Sequence, residues 1–264
     1  MNYKSIQQDN LIKTITRDDT LFKGNYTIDT YQHCEFGCRY CDSSPNDTIY
    51  VTDNASELLQ KELKTLKKGR IIIGSVHDPY QPIEKTYEIT RDLLEILQQK
   101  QIPTHILTKS TLILRDIDIL KKMKDIWITF SILSMDENIW QLFEGKTPSP
   151  RCRLETMQKL TDYARTGMAM IPILPFITDS KNHIETLVKT AKQHKANYFL
   201  HTYLELKGDQ KNSFFNLLQH HCPHLHDEYE TIYSDSIRPQ LTYIKQVNKI
   251  IKKTSSKYQI PNKI

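Results

Sequence analysis

The chain has 264 residues, 38% of them hydrophobic and 25% charged, which fits a folded globular protein and excludes a disordered, collagen-like or membrane-spanning one. Five cysteines are too few and too unevenly placed for a disulfide scaffold, no basic and then apolar leader opens the chain, and the most apolar stretch, Met168 to Ile177, is broken by Pro172 and Pro175 and too short for a bilayer of roughly 30 Å. A cytoplasmic, reducing location without membrane contact is therefore expected, and the net charge of +5 sits at the chain end, where Arg238 to Ile264 carries seven basic residues and no acid.

Residues 1–25 read as an N-terminal extension. From Tyr26, short β-branched or aromatic runs alternate with segments of helical period. The expected strands are Tyr26 to Gln32, Arg70 to Gly74, Thr104 to Thr108, Ile126 to Ile132, Met168 to Leu174 and Tyr198 to Leu204. Between them, Asp53 and Asn54 can cap a helix with Leu58, Leu59, Leu63 and Leu66 on one face. Residues 86–100 carry Leu93, Leu94 and Leu97, residues 113–124 carry Ile117, Leu120 and Met123, and residues 153–166 carry Leu154, Met157 and Leu160, with Gly167 as the stop. Six strand-helix units with right-handed crossovers predict an α/β fold, a partial (βα)6 TIM-type barrel over residues 26–205 with its functional loops at the C-terminal strand ends. Residues 206–264 read as a helical, basic appendix packed on the barrel. Its lysines suit phosphate contact, and a solvated helix end accounts for them as well.

The segment Tyr31-Gln-His-Cys34-Glu-Phe-Gly-Cys38-Arg-Tyr40-Cys41 spaces three cysteines as C-x3-C-x2-C just after the first strand. Three thiolates can hold three irons of a [4Fe-4S] cluster and leave the fourth iron open to a substrate-like ligand. A structural zinc site is the alternative, but it needs a fourth ligand such as His33, and no second C-x2-C follows.

C-x3-C-x-aromatic-C on the first loop of a partial barrel resembles the signature of the radical S-adenosylmethionine (SAM) enzymes. The resemblance implies that Cys34, Cys38 and Cys41 ligate the cluster, that SAM chelates the open iron through its amine and carboxylate, and that Tyr40 lies against the adenine. Further motifs look like the spore photoproduct lyase-like (DNA photolyase-like) branch: Gly74-Ser-Val-His77-Asp78-Pro79-Tyr80-Gln81-Pro82-Ile-Glu84, Leu107-Thr108-Lys109-Ser110, Arg115-Asp116-Ile-Asp118, Pro148-Ser-Pro-Arg-Cys-Arg153-Leu, Pro172-Ile-Leu-Pro175 with Asp179, and Leu206-Lys207-Gly208 onward to Phe215. Carried over, Lys109 pairs with the SAM carboxylate and Ser131 hydrogen-bonds the cofactor, as suits a compact cation and a hydroxyl.

Two departures matter. Ser75 stands where the lyases carry a hydrogen-donating cysteine, and Asp42 where they carry a tyrosine after the third cluster cysteine. An O–H bond is far harder to break homolytically than S–H, so thymine-dimer cleavage does not carry over with the fold. Cys152, between Arg151 and Arg153, and Cys222 are left over, as is the run from His220 to His226, which is metal-like only by composition.

The resemblance implies an enzyme with lyase and DNA-repair relatives. It would cleave SAM reductively to a 5′-deoxyadenosyl radical, take its electron from a flavodoxin- or ferredoxin-type donor, and act on nucleic acid. Radical modification of RNA, a peptide or a metabolite is the runner-up, and a noncatalytic iron-sulfur or nucleic-acid binding module is the reading from another class.

Overall fold

The computed structural model of the protein describes residues 1–42 and 48–264. Its strands are β1 (Asn2–Ile6), β2 (Lys13–Thr14), β3 (Tyr26–Ile28), β4 (Tyr31–Gln32), β5 (Thr48–Thr52), β6 (Ile71–Ile73), β7 (Thr104–Thr108), β8 (Ile126–Ser131), β9 (Arg165–Ile173) and β10 (Tyr198–Tyr203). The helices are α1 (Ala55–Glu62), α2 (Glu84–Tyr87), α3 (Ile89–Gln99), α4 (Ile117–Leu120), α5 (Glu137–Glu144), α6 (Pro150–Leu160), α7 (Lys181–Gln193), α8 (Gly208–His221), α9 (His226–Tyr233) and α10 (Leu241–Lys257).

Strands β3, β6, β7, β8, β9 and β10 lie side by side in chain order and all pair parallel, as the alternation of strands and helices requires. The sheet is mixed, because β2 pairs antiparallel with β3, and β2 and β10 are its two edges. The backbone amide of Phe199 in β10 donates to the carbonyl of Pro261, so the end of the chain covers part of that edge.

The first expected strand is two. After Ile28 the chain leaves the large sheet, and Tyr31 and Gln32 pair instead with β5, in a small sheet of order β1, β5, β4. The N-terminal segment joins that sheet through β1, parallel to β5. The helix expected over 113–124 is a 3-10 turn over Leu112–Asp116 followed by the four residues of α4. Asn54 does sit at the start of α1, but its side chain holds the backbone of Gln8 in both directions rather than capping the helix. Gly167 stops no helix. It lies inside β9, where a Cβ would come within 2.0 Å of the Tyr198 ring, so its role is close strand-to-ring packing.

The core follows from the helical period. Leu93, Leu94 and Leu97 of α3, Leu154, Met157 and Leu160 of α6, and Ile184, Leu187 and Val188 of α7 pack with Ile73, Ile106, Ile128 and Met168 of the sheet. Each such side chain contributes about 1.5–3 kcal/mol by leaving water. A second apolar cluster joins Phe214, Leu218, Tyr229 and Tyr233 of α8 and α9 to Phe36, Cys38 and Tyr40 of the cysteine loop. Thus the C-terminal helices pack on the loop that carries the candidate chemistry.

Candidate active site

The cysteine loop follows β4 and turns twice. The amide of Gly37 donates to the carbonyl of Cys34 at 3.3 Å, and that of Cys41 to Cys38 at 3.0 Å. Gly37 has φ of 52°, open to glycine without strain, while His33 takes φ of 66° with a side chain. The loop after β6 holds this turn from outside. The Gln81 amide oxygen accepts from Glu35 N at 2.8 Å, its Nε2 donates to His33 O at 3.1 Å, and Glu35 Oε2 accepts from Ile83 N at 2.6 Å.

Below that clamp lies a buried ionic layer. Glu84 accepts from the Tyr31 hydroxyl, from Thr90 N at 3.0 Å and from Arg115 at 2.6 Å. Asp116 accepts from Arg91 at 2.8 Å and from the Tyr80 hydroxyl at 3.0 Å. The motifs Tyr80 to Glu84 and Arg115 to Asp118 are thereby accounted for as scaffold, each charge being paired as burial demands.

Inside the loop opens a cavity of about 450 Å³, lined by all six residues singled out from the sequence: Cys34, Cys38, Tyr40, Cys41, Lys109 and Ser131. Ser75 and Asp42, the two departures, line it too. The turn after β6 passes close by at Gly74, whose φ is 86° and where a Cβ would lie 2.4 Å from the Leu107 carbonyl oxygen.

Burial, and then the charge of Asp78, pushes the Cys34 thiol up to about 12. Backbone N–H groups of Asp78 and Phe36 pull the other way by hydrogen-bonding the sulfur. Burial likewise pushes Cys38 up to about 12, against the opposing charge of Lys109. Such thiols keep their protons until a cation takes the protons' place. Asp78 is fully engaged, accepting from Thr108 Oγ1 at 2.7 Å, Tyr80 N at 2.9 Å and Lys109 N at 2.6 Å, and so fixes the backbone at Lys109.

Sequence reasoning missed the pair under the cavity floor, Glu144 and Arg153, which are 1% and 0% exposed. Arg153 donates to Glu144 Oε2 at 2.7 Å, to the Ser131 carbonyl at 2.8 Å, to the Pro148 carbonyl at 2.7 Å and to Thr147. Glu144 also accepts from the Tyr40 hydroxyl and stands 4.0 Å from Lys109 Nζ, which lies over the Tyr40 ring. Burial alone would push the Glu144 carboxyl up, but Arg153, Lys109 and Tyr40 together hold it below the ordinary value. Charged residues are usually surface residues, and only the fold shows that Ser149 and Pro150 start a helix aiming Arg153 inward. The opposite wall was also unforeseen. Glu205 and Lys207, just before α8, and Gln210, in its first turn, line the cavity, with Gln210 donating to the Tyr40 carbonyl.

The remaining candidates lie elsewhere. Cys152 is exposed on α6, and Cys222, at the end of α8, packs in the second apolar cluster. In the histidine run, His220 bonds the Asn216 carbonyl, His221 lies 3.3 Å from Arg39, and His226 lies with Asp227 and Glu230. Among the described residues, that trio, with Asp227 and Glu230 exposed and His226 half-buried, is the set of three whose donor atoms come within 4.8 Å of one another.

A family model described as the radical SAM superfamily matches residues 28–190. An uncharacterized protein of Methanocaldococcus jannaschii is 29% identical over 239 residues, covering 86% of each chain, and an uncharacterized protein of Mycobacterium tuberculosis is 26% identical over 227 residues, covering 79% of this chain and 67% of that one. Among solved structures, a spore photoproduct lyase mutant with bound AdoMet and dinucleoside spore photoproduct superposes with a TM-score of 0.72 at 14% identity, covering 97% of this chain and 78% of the lyase. Streptococcus suis SuiB, bound to precursor peptide SuiA, gives a TM-score of 0.60 at 15% identity over 90% of this chain and 47% of SuiB.

Proposed function

The chain belongs to the radical SAM superfamily and is an enzyme of that kind with the fold of spore photoproduct lyase, and we propose that Cys34, Cys38 and Cys41 hold a [4Fe-4S] cluster beside a SAM-binding cavity. The observation that carries this reading is the convergence of three thiols, a lysine and a hydroxyl on one cavity of about 450 Å³. Bound there, a reduced cluster would supply the one electron that splits the sulfonium of SAM into methionine and a 5′-deoxyadenosyl radical able to take hydrogen from a substrate.

The chain's own residues serve that chemistry by position. Lys109 offers its charge to the methionyl carboxylate, with its backbone fixed by Asp78. Ser131 offers its hydroxyl, now donating to the Ile171 carbonyl at 3.2 Å. The Tyr40 ring forms an apolar wall, held by Glu144 at its hydroxyl. Burial of Cys38 and Tyr40 keeps water from that side of the cavity.

The substrate class that fits best is nucleic acid. The basic C-terminal residues support it, as does the likeness to a lyase structure holding a dinucleoside photoproduct. Ser75 and Asp42 on the cavity wall offer no S–H or phenol for hydrogen return, so the product radical is quenched by another route. A peptide substrate is the second reading, favoured by the likeness to SuiB with its precursor peptide. No helix among the described residues is long and apolar enough to cross a membrane. A cytoplasmic enzyme fed by a flavodoxin- or ferredoxin-type donor, built as a partial (βα)6 barrel over residues 26–205 with an N-terminal extension and a C-terminal appendix, completes the proposal.

The test is anaerobic reconstitution of the Cys34→Ala, Cys38→Ala and Cys41→Ala variants. Each is expected to lose SAM cleavage, and normal turnover by any of them overturns the assignment. Lys109→Ala is expected to keep its iron and lose at least tenfold in SAM affinity, on the order of 1.4 kcal/mol.

A further inference from the structure

Behind one wall of the cofactor cavity lies a second cavity, of about 280 Å³. The loop after β6 is the partition: Ser75, Val76 and Asp78 line the large cavity, and His77 lines the small one. The cysteine loop divides the same way, with Cys34 on the large side and Gln32 and His33 on the small side.

Across the small cavity from His77 stands Asp29, the residue after β3. Their side chains are 16% and 9% exposed, and His77 Nδ1 is 3.9 Å from Asp29 Oδ1, beyond hydrogen-bonding distance. Both atoms are buried, and neither has a hydrogen-bond partner. Leaving such a group unsatisfied is costly. Burial lowers the His77 pKa, against the pull of Asp29. A buried carboxylate oxygen and a buried imidazole nitrogen facing each other at 3.9 Å, each without a partner, leave room for an electron-poor body between them. Their separation is less than twice the roughly 2.1 Å of a metal bond to imidazole or carboxylate, so one ion reaches both without backbone movement.

We propose that Asp29 Oδ1 and His77 Nδ1 are the protein ligands of a divalent first-row transition-metal ion in this second cavity. Nitrogen and oxygen donors without thiolate favour Mn²⁺ or Fe²⁺ over the soft metals that cysteines select. Water completes the shell in the remaining space, and Gln8, on the cavity wall, has its Nε2 committed to Thr52 Oγ1 at 2.9 Å. Lys13 is the lysine at the rim and is solvent-exposed. The His33 ring centroid lies 6.3 Å from that of His77. The ion would brace the Ser75–Asp78 partition from the side away from the cysteines, and the site does not depend on the cluster reading.

Mn²⁺ is the probe, because thiolates compete for it poorly. Uptake is measured by electron paramagnetic resonance on the full chain, with the cluster reconstituted and oxidised, and on the Cys34→Ser/Cys38→Ser/Cys41→Ser variant without it. One Mn²⁺ per chain is expected in both, with nitrogen hyperfine coupling from an imidazole. Asp29→Asn and His77→Gln, each checked for native circular dichroism, are expected to weaken uptake at least tenfold, and His77→Gln to remove the nitrogen coupling. No stoichiometric uptake at millimolar Mn²⁺, or uptake that both variants leave unchanged, overturns the proposal and leaves the cavity to water.

Discussion

The two ends of the sheet use the same ion pair to opposite purpose. At the N-terminal strand ends, Arg70 grips Asp125 with bonds of 3.0 and 2.8 Å, while Arg70 and Arg165 flank the Trp127 ring at 5.2 and 5.0 Å. Asp125 is 44% exposed there, and the pair is screened by water and salt. At the C-terminal ends, Arg153 and Glu144 are shut away beneath the cavity and touch Tyr40, Lys109 and Ser131. An exposed pair is replaceable, whereas a buried one is an obligation, since removing either partner strands a charge. The exposed pair sits at the N-terminal strand ends, and the buried one lies under the candidate cavity at the C-terminal ends.

The contrast can be broken most forcefully at Arg153. Arg153→Met is expected to cost about 3–5 kcal/mol in urea unfolding, because Glu144 is left buried without its main partner, and the same variant should bind SAM more weakly as Lys109 loses its fixed neighbour. An effect under about 1 kcal/mol would mean the two ends are not different in kind.

Next in size is His105 in β7, between the two ends, where Nε2 lies 2.7 Å from Thr129 Oγ1 and Nδ1 3.3 Å from the Phe22 carbonyl. Burial pulls its pKa down to about 4. The unfolded chain therefore takes up this proton first, near pH 6.5, so the contribution is complete above that pH and is lost as pH falls toward 4. His105→Gln is expected to flatten the stability profile over that window by up to about 3 kcal/mol, read from urea midpoints at pH 7 and pH 4.5. An unchanged slope would assign the acid sensitivity to the carboxylates.

Arg70→Ala is expected to be the smallest change, about 0.5–1 kcal/mol and reduced further in 0.5 M salt, with SAM affinity unaltered. A salt-insensitive loss of several kcal/mol would show that the exposed pair and its Trp127 stack matter as much as the buried one.

What the sequence made legible was the parallel order of six strands, through hydrophobic period, and the three cysteines, through their spacing, while Tyr40, Lys109 and Ser131 came from the family resemblance and lie on the same cavity. What stayed hidden depends on distant partners. The run Tyr26 to Gln32 reads as one strand, and only the pairing of Tyr31 with Val51 shows that the chain changes sheets at Asp29 and Thr30. Glu144 ends a short helix, and nothing nearby announces that a buried arginine nine positions on will neutralise it. Gly167 looks like a helix stop until the Tyr198 ring occupies the space a side chain would need. The histidine run shows the converse: its composition is metal-like, yet His220 and His221 are bonded to Asn216 and Arg39 rather than to a shared centre.

The most direct test of the central claim is electron paramagnetic resonance of the anaerobically reconstituted, dithionite-reduced protein, recorded with and without SAM while 5′-deoxyadenosine is followed by chromatography. A cubane signal that shifts on adding SAM, accompanied by deoxyadenosine, is the predicted result. A signal indifferent to SAM, or a preparation holding zinc in place of iron, would contradict it.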